Sequence, residues 1–185
     1  MSSSFITKQA LADALKQCMQ TKTLEKISIA DICLVCQLNR KSFYYHFKDK
    51  YALVVWIFNQ EIGYLLREYI EQGSSYLVAL KLCTYFEEHR DFYMHALSDG
   101  CPGALRDHLV GELEPLVSKT LSLDSKSEIN IEGVSRMVSD FLISALSQWL
   151  KRMPPISAEQ FLDELIAVAL VLTKRVSTLL NPTPE

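Results

Sequence analysis

The 185-residue sequence lacks long apolar runs, β-strand patterning and a cysteine framework. Its longest apolar runs, Tyr51–Phe58 and Leu165–Leu172, contain eight residues each, whereas a membrane-spanning helix needs about 20. We therefore expect no membrane span and no membrane partner. The five cysteines are an odd number without framework spacing, and no basic segment followed by an apolar block stands at the N-terminus. These absences predict reduced thiols and a cytoplasmic location.

Glycine and proline are also scarce, with six of each, and all of them lie after residue 62. Alternation of apolar and polar residues, which would indicate a half-buried strand, is almost missing. Apolar residues recur instead at i, i+3 and i+4, which is the helix period. The sequence therefore predicts an all-α protein. The predicted helices cover about 6–20, 28–36, 40–47, 49–73, 75–88, 91–97, 103–122, 128–151 and 157–180.

A formal net charge of −3 hides an asymmetry between the two ends of the chain. Residues 1–50 hold eight of the 19 Lys and Arg residues but only four of the 22 Asp and Glu residues, a net of +4. Residues 51–185 hold the remaining eleven basic and eighteen acidic residues, a net of −7. Such asymmetry indicates that residues 1–50 face a polyanion.

Two short helices joined by a tight turn are predicted within this basic segment. Ser28 and Asn39 suit N-caps, because their side-chain oxygens accept hydrogen bonds from the free backbone N–H groups of a helix start. Phe43 and Phe47 are four residues apart and form an inner face. The outward face of 40–47 is basic, aromatic and hydroxyl-bearing, which is typical of the second helix of a helix-turn-helix. An ordinary solvated face is the alternative interpretation.

Read together, residues 27–53 resemble the DNA-binding domain of TetR-type bacterial transcription regulators. The family signature runs Tyr-x-His-Phe, a small or polar residue, Lys and soon Leu, and Tyr44–Phe47, Lys50 and Leu53 match it in order. The resemblance covers roughly residues 6–55. The later part of the chain is similar to the subgroup that includes the dihydroxyacetone-kinase operon activator.

The turn departs from the family pattern, which usually carries Ala-Gly-Val where this sequence has Cys36-Gln37-Leu38. Either Gln37 adopts the left-handed conformation that glycine adopts freely, or the turn has another geometry. Cys33 and Cys36 form a C-x-x-C at positions where the family usually has alanine. We interpret them as small packing residues. A redox pair is the alternative, and a zinc site is disfavoured because no second Cys pair or nearby His completes it.

The resemblance implies a helix-turn-helix DNA-binding domain over residues 1–50 and a helical regulatory and dimerisation domain over residues 51–185. Arg40 and Lys41 are expected to reach base edges in the major groove, where the small Ser42 allows close approach. Phosphate contacts are expected from Lys50 and Ser28. The predicted DNA-binding residues are Ser28, Arg40, Lys41, Ser42, Tyr44, Tyr45, His46 and Lys50.

Aromatic residues and histidines cluster in the middle of the chain, mainly between residues 83 and 108. They are either core and surface aromatics or the walls of a pocket for an amphipathic small molecule, which the resemblance implies in the C-terminal domain. An enzyme that uses His89 or His95 is a remote alternative, and we predict no catalytic residue, metal site or cofactor. The predicted pocket residues are Tyr64, Tyr85, Phe86, His89, Tyr93, Cys101 and Phe141.

The last two predicted helices, 128–151 and 157–180, have more apolar residues than one face can use. One side of each suits its own domain and the other suits a second copy, which predicts a four-helix dimer interface. A buried position in a monomer is the alternative. The predicted interface residues are Met137, Phe141, Leu142, Leu146, Trp149, Leu165, Ala169 and Leu172.

Taken with the resemblance, these features predict a sequence-specific DNA-binding transcription regulator. We expect a homodimeric repressor that binds a palindromic double-stranded operator and responds to an unknown small-molecule effector. The alternative is a DNA-binding activator or adaptor controlled by a protein partner. A small cytosolic enzyme remains the third hypothesis, and it leaves the basic helix unexplained.

Overall fold

A computed structural model describes residues 3–65, 67, 76–98, 104–124 and 130–180. The described residues form helices, turns and short connections without any strand, which confirms the all-α prediction. None of the described helices is long and apolar enough to cross a membrane. The helices are α1 (Ser3–Met19), α2 (Ile29–Val35), α3 (Arg40–His46), α4 (Lys50–Glu61), α5 (Tyr76–Glu88), α6 (Arg90–Ala96), α7 (Ala104–Asp124), α8 (Ile131–Lys151) and α9 (Ala158–Leu180), with a 3₁₀ turn at Leu24–Lys26 before α2.

The first three helices pack around one apolar centre, and α4 closes it. Leu11 and Leu15 of α1 are fully buried, as are Ile32 of α2 and Phe43 of α3. Leu53 of α4 completes this centre. Full burial of side chains of this size contributes about 1.5–3 kcal/mol each. We refer to residues 3–49 as the reading head.

Side-chain caps begin α2 and α3 at the predicted residues Ser28 and Asn39, and a third cap, Asp49, begins α4. Ser28 accepts the Asp31 N–H at 3.1 Å while the Asp31 carboxylate accepts the Ser28 N–H at 2.8 Å, which is a capping box. Asn39 caps α3 by accepting the Ser42 N–H at 2.8 Å, and Asp49 caps α4 by accepting the Ala52 N–H at 2.7 Å. These local bonds set where each helix starts, and thereby the angle at which α3 leaves the turn.

The turn between α2 and α3 settles the choice that the sequence left open, because Gln37 has a φ of 55°. Its N–H donates to the Leu34 carbonyl at 3.4 Å, and the N–H of Leu38 donates to the Cys33 carbonyl at 3.0 Å. This pair of bonds is the Schellman arrangement that usually carries glycine at the left-handed position. Gln37 therefore adopts the left-handed conformation, and a residue with a Cβ carries the strain.

One predicted helix is interrupted. The sequence predicts a continuous helix over about 49–73, whereas α4 ends at Glu61 and Ile62 has non-helical angles (φ −138°, ψ −15°). Helical geometry resumes at 63–65, while residues 66 and 68–75 lie outside the described residues. The Ile62 side chain is fully buried, so the interruption lies at a point where the chain is held by the core.

The remaining helices form a core in which α8 lies along α7 and against α6. Buried Ser135 and Ser139 on α8 keep this packing close, and their hydroxyls donate to carbonyls one turn back at 2.6 and 2.8 Å. At the far end of α8, Trp149 stacks on Phe161 of α9 with ring centroids 4.5 Å apart. The Trp149 Nε1–H also donates to the Ile156 carbonyl at 3.0 Å. These contacts fix α9 to the end of α8.

Candidate functional site

The outward face of α3 is polar, cationic and aromatic, as the sequence predicts. Arg40, Lys41 and Tyr44 are exposed, and Tyr45 is 83% exposed. His46 is half-buried, with its ring 4.9 Å from that of Tyr45 in an edge-on contact. Since a large aromatic side chain gains little from standing in water, this degree of exposure favours a surface that meets a partner.

Two buried phenylalanines hold this face in place from below. Phe43 is fully buried, and its ring lies 5.9 Å from that of Phe47. Trp56 of α4 contacts the other edge of Phe47 at 5.9 Å. The rigid base means that α3 presents its outer side chains at a constant height and angle, as reading a groove requires.

The hydroxyls of Ser42 and Ser28 are both engaged in capping. The Ser42 hydroxyl donates to Asn39 Oδ1 at 3.2 Å, and the Ser28 hydroxyl donates to Asp31 Oδ2 at 2.6 Å. The Asp31 carboxylate also accepts from Lys22 Nζ at 2.9 Å. Hydrogen bonds from Ser28, together with that from Lys22, hold the pKa of the Asp31 carboxyl well below its usual range. Each serine hydroxyl has a lone pair left, so each can still accept from a partner.

The structure places Lys50 in a role different from the predicted phosphate contact. Its ammonium donates to three backbone carbonyls, those of Leu24 at 2.7 Å, Glu25 at 2.9 Å and Ile27 at 2.7 Å. An ammonium has three N–H donors, and these three bonds use all of them. Lys50 therefore joins the start of α4 to the 3₁₀ turn that precedes α2. Exposed Lys48, two residues earlier, also belongs to the basic end of the chain but is not in the predicted set of DNA-binding residues.

A cavity of about 370 Å³ lies in the core, but most of its lining differs from the predicted set. Its walls come from α4, α5, α7, α8 and α9, and of the predicted pocket residues they include only Phe86. Three predicted interface residues, Leu142, Leu146 and Leu165, also line it. The lining is apolar throughout apart from one thiol, and burial raises the pKa of this Cys83 thiol to about 11. The lining residues are Phe58, Ala79, Leu82, Cys83, Phe86, Leu109, Leu113, Leu116, Val117, Val138, Leu142, Ile143, Leu146, Phe161, Leu162 and Leu165.

The other predicted pocket residues have different positions. Tyr64 is 56% exposed, and Phe141 is exposed on a groove between α8 and α9. Tyr93 is fully buried beside Tyr85, and the Nδ1–H of His89 donates to the Tyr85 carbonyl at 3.0 Å. Cys101 lies outside the described residues. Sequence reasoning missed the cavity because its apolar residues are indistinguishable from ordinary core until several helices are brought together.

The predicted dimer residues divide into exposed and buried sets. Met137 (72% exposed) and Phe141 (55% exposed) stand outward from α8, and Ala169 is exposed on α9. Leu146 and Trp149 are instead buried in the protomer, Trp149 being only 3% exposed because it stacks on Phe161. The structure thus places these two in the protomer's own core. The side chain of Leu172 lies outside the described residues.

The C-x-x-C pair is placed as packing residues. Cys33 is buried, and the Cys36 thiol donates to the Ile32 carbonyl at 3.2 Å, both as free thiols. Burial raises the pKa of the Cys33 thiol, which disfavours the reactive thiolate. Within the described parts of the chain, no group of three or more His, Cys, Asp and Glu residues is arranged to hold a metal ion.

Comparison with known proteins decides the family. Residues 74–170, just over half of the chain, match a TetR-type family model described as the transcriptional regulator C-terminal region. The chain belongs to the TetR family of transcription regulators. This confirms the resemblance that residues 27–53 carry, and it does so from a separate part of the chain.

Individual TetR-family proteins are similar in sequence or in fold. The activator DhaS of the dhaKLM operon in Lactococcus lactis subsp. lactis (strain IL1403) is 30% identical over 93 residues, which span half of this chain and half of that protein. A TetR regulator from Streptococcus agalactiae 2603V has a TM-score of 0.68 at 20% identity, covering 89% of this chain and 94% of its own. NalD from Pseudomonas aeruginosa, the secondary repressor of the MexAB-OprM efflux pump, has a TM-score of 0.64 at 16% identity, with 89% and 95% covered. At these identities the two structures show a shared fold.

Proposed function

We propose that this protein is a homodimeric, sequence-specific DNA-binding regulator whose two α3 helices enter successive major grooves of a palindromic operator. The observation that carries the proposal is the outward face of α3, where Arg40, Lys41 and Tyr45 are exposed above a rigid base of buried Phe43. Arginine reads guanine through two hydrogen bonds, and lysine reaches the same acceptors. Tyr44 and His46 lie beside them, where the phosphates flank the groove.

The proposed division of labour follows the charge. Residues 1–50, at net +4, form the DNA-binding domain, and residues 51–185, at net −7, form the regulatory and dimerisation domain. The acidic part is repelled by DNA and the basic part is attracted, so the molecule approaches the duplex by its reading head. α4 joins the two parts, because it begins under α3 and ends at Glu61 against the core.

Selection of binding sites from random double-stranded DNA with the purified protein tests the proposal. We expect a palindrome whose half-sites are one helical turn, about 34–36 Å, or more apart. A set of recovered sequences without two-fold symmetry would contradict the dimeric reading. If no DNA sequence were enriched at either low or moderate salt, sequence-specific DNA binding itself would be contradicted.

The dimer is supported by apolar surface that a monomer leaves in water. Between residues 166 and 171, every side chain of α9 is exposed, including Val168, Leu170 and Val171. Exposed Met137 and Phe141 of α8 add to this surface across the groove. A helix apolar nearly all round is stable in water only when something covers it. A second copy, placed by a two-fold axis, covers both patches with the same residues.

A charge on this surface tests the dimer. Phe141→Asp should raise the dimer dissociation constant at least tenfold, because two carboxylates enter an apolar interface. Leu34→Asp is the matched control, since Leu34 is also an exposed apolar residue but lies on α2 of the reading head. Light scattering over a concentration series measures both. Equal dissociation constants for the two variants would show that α8 and α9 are not the interface.

The apolar cavity supports an effector that carries no charge. Its volume of about 370 Å³ is within the range of small-molecule sites, and a lining without charged side chains favours an alkyl or aryl group over the amphipathic ligand that the sequence suggested. Butylbenzene, which has no polar end, should raise the unfolding temperature of the parent, and Ala79→Leu, which takes up part of the cavity, should reduce the rise. Ala30→Leu, at an exposed position of α2, should keep it. A rise in the Ala79→Leu variant equal to that of the parent would place the ligand elsewhere.

The sign of regulation is proposed as repression, with activation as the second candidate. Repression is the family default, whereas the similarity to the DhaS activator over half of the chain favours activation. A reporter with the selected operator placed either across a promoter or upstream of it separates the two. A fall in expression from the first arrangement indicates a repressor, and a rise from the second indicates an activator. If the rise needs a second protein, the adaptor alternative is favoured.

A further inference from the structure

A polar cluster joins the reading head to the core at the end of α4. The Glu61 carboxylate accepts from two directions, with Lys16 Nζ of α1 on Oε1 and Tyr85 Oη of α5 on Oε2. Lys16 also stands 5.8 Å from the ring centroid of Phe92 on α6. We call Lys16, Glu61 and Tyr85 the junction triad. One carboxylate thus connects a helix of the reading head, the connecting helix and a helix of the core.

The core side of the junction triad is held rigidly. The Tyr85 ring stacks on His89, with centroids 4.2 Å apart and an angle of 18° between the planes. Fully buried Tyr93 donates its hydroxyl to Tyr85 Oη at 3.4 Å, so that Tyr85 is left to donate to Glu61. Burial, with the neighbouring Tyr93 and Glu61, raises the pKa of Tyr85 far above its usual range. The phenol therefore stays protonated, and a donor, at neutral pH.

Space remains beside the junction triad on the side of the reading head. A cleft of about 520 Å³ separates Lys16, Met19 and Gln20 at the end of α1 from residues 87–92 and His95 of the core. Because this cleft is not filled by apolar side chains, packing there does not set the angle of the reading head. The apolar contacts of α1 with α4 and the polar bonds through Glu61 hold that angle together.

The junction triad is also next to the apolar cavity. Phe86 follows Tyr85 on α5, lines the cavity, and stacks on Phe58 of α4 with centroids 6.3 Å apart. Tyr85 and Glu61 are on the same two helices, one helical turn or less from these two rings. The junction triad and the cavity therefore share the contact between α4 and α5.

We propose that Glu61, through Lys16 and Tyr85, is the positioning residue that holds the reading head at one angle to the core, and so sets the half-site spacing that the dimer accepts. This inference rests on the proposed DNA-binding function. It predicts that removal of either hydrogen bond to Glu61 weakens the discrimination between operators of different half-site spacing. Base preference should stay unchanged, because neither substitution alters the outward face of α3.

The test is a series of operators that differ in central spacing. One added base pair moves a half-site by about 3.4 Å and rotates it, so the parent should lose at least tenfold in affinity. Tyr85→Phe and Lys16→Met should each reduce this discrimination about threefold to tenfold, which is the size of effect expected from one half-buried, charge-assisted hydrogen bond. The double variant should lose no more than the larger single change, because both arms act through Glu61.

Matched variants separate positioning from general stability. Tyr64→Phe removes the same hydroxyl from an exposed tyrosine three residues beyond Glu61 and should discriminate like the parent. Lys16→Arg keeps the charge and donor and should restore discrimination. If Tyr85→Phe and Lys16→Met discriminate spacing like the parent, or if their effects add, the proposal is overturned. It is equally overturned if Lys16→Arg loses as much discrimination as Lys16→Met does.

A measurement without DNA keeps this inference separable from the proposed function. Nitroxide labels are attached through keto amino acids at exposed positions 48 and 107, and the labelled protein is diluted into unlabelled protein. The distance between the two labels then reports the separation of reading head and core within one protomer. We expect a narrow distance distribution in the parent and a broad one in Tyr85→Phe. If random DNA yields no operator but the distribution broadens, the DNA function fails and the junction triad stands. An unchanged distribution overturns the triad whatever the DNA result.

Discussion

Replacing Lys50 by alanine should destabilise the reading head rather than weaken its contacts with the phosphates of DNA. The Lys50 ammonium spans 23 to 26 residues of sequence to reach the carbonyls of Leu24, Glu25 and Ile27. The carbonyls belong to the 3₁₀ turn and its end, which lead into the Ser28 cap of α2. Without the ammonium, this turn loses the only cation that the structure shows bridging it to α4 in the described residues.

The magnitude follows from the three bonds. A hydrogen bond to a charged group contributes about 1.5–3 kcal/mol when its partner cannot be replaced. The carbonyl of Glu25 is exposed and those of Leu24 and Ile27 are half-buried, so water takes up part of the loss. We therefore expect a loss of about 2–3 kcal/mol in the free energy of unfolding, or about 4–12 °C in Tm for a chain of this size.

The assay is thermal and urea unfolding of Lys50→Ala beside Lys48→Ala at equal protein concentration, because dimerisation makes Tm depend on concentration. Lys48 is an exposed lysine two residues away and should change stability by less than about 0.5 kcal/mol. For DNA binding we expect the opposite order of effects. Lys48→Ala should flatten the dependence of DNA affinity on salt concentration, and Lys50→Ala should leave the slope of that dependence unchanged. The reasoning is refuted if Lys50→Ala is as stable as the parent and binds DNA with a flatter salt slope.

Three further predictions concern the same domain. Gln37→Gly should raise the free energy of unfolding by about 0.5–1 kcal/mol in urea titrations, since glycine removes the strain of a φ of 55°; a lower stability would contradict the strain argument. Arg40→Ala should cost about 1–3 kcal/mol on the selected operator and relax preference at one base position, whereas a uniform loss across sequences would make Arg40 a phosphate contact. The lowered pKa of Asp31 adds stability above the unfolded Asp pKa of about 3.9, and this contribution is lost as the pH falls below it. Asp31→Asn should therefore be less stable than the parent at pH 6, with the gap closing toward pH 3 in Tm measurements, and a constant gap would exclude this linkage.

Features that depend on neighbours along the chain could be predicted from the sequence. The caps at Ser28, Asn39 and Asp49 are each bonded to the backbone N–H three residues later, so residue type and spacing were sufficient. The outward face of α3 follows from one helical period once Phe43 and Phe47 are placed inside. Even the strained Gln37 was one of the two outcomes that the turn allowed.

Features that depend on contacts between residues far apart in the sequence could not be predicted from it. The partners of Lys50 precede it by more than 20 residues, and an ammonium that binds carbonyls has the same sequence signal as one that binds phosphate. Trp149 suited a dimer interface by its position on α8, but stacking on Phe161 from the next helix buries it in its own protomer. Tyr85 and His89 suited a pocket wall, but in the structure Tyr85 donates to Glu61 and stacks on His89.

By itself, therefore, the sequence determined the all-α class, the basic end of the chain, the helix-turn-helix and its reading face, and the family resemblance. Helix period, capping and charge act over a few residues, and their effects survive without knowledge of the fold. Only the tertiary structure decided which lysine binds backbone carbonyls, which apolar residues enclose a cavity and which carboxylate joins the reading head to the core. Those outcomes depend on side chains that lie far apart in sequence and compete for the same space and the same donors, and that competition is resolved only when the helices pack.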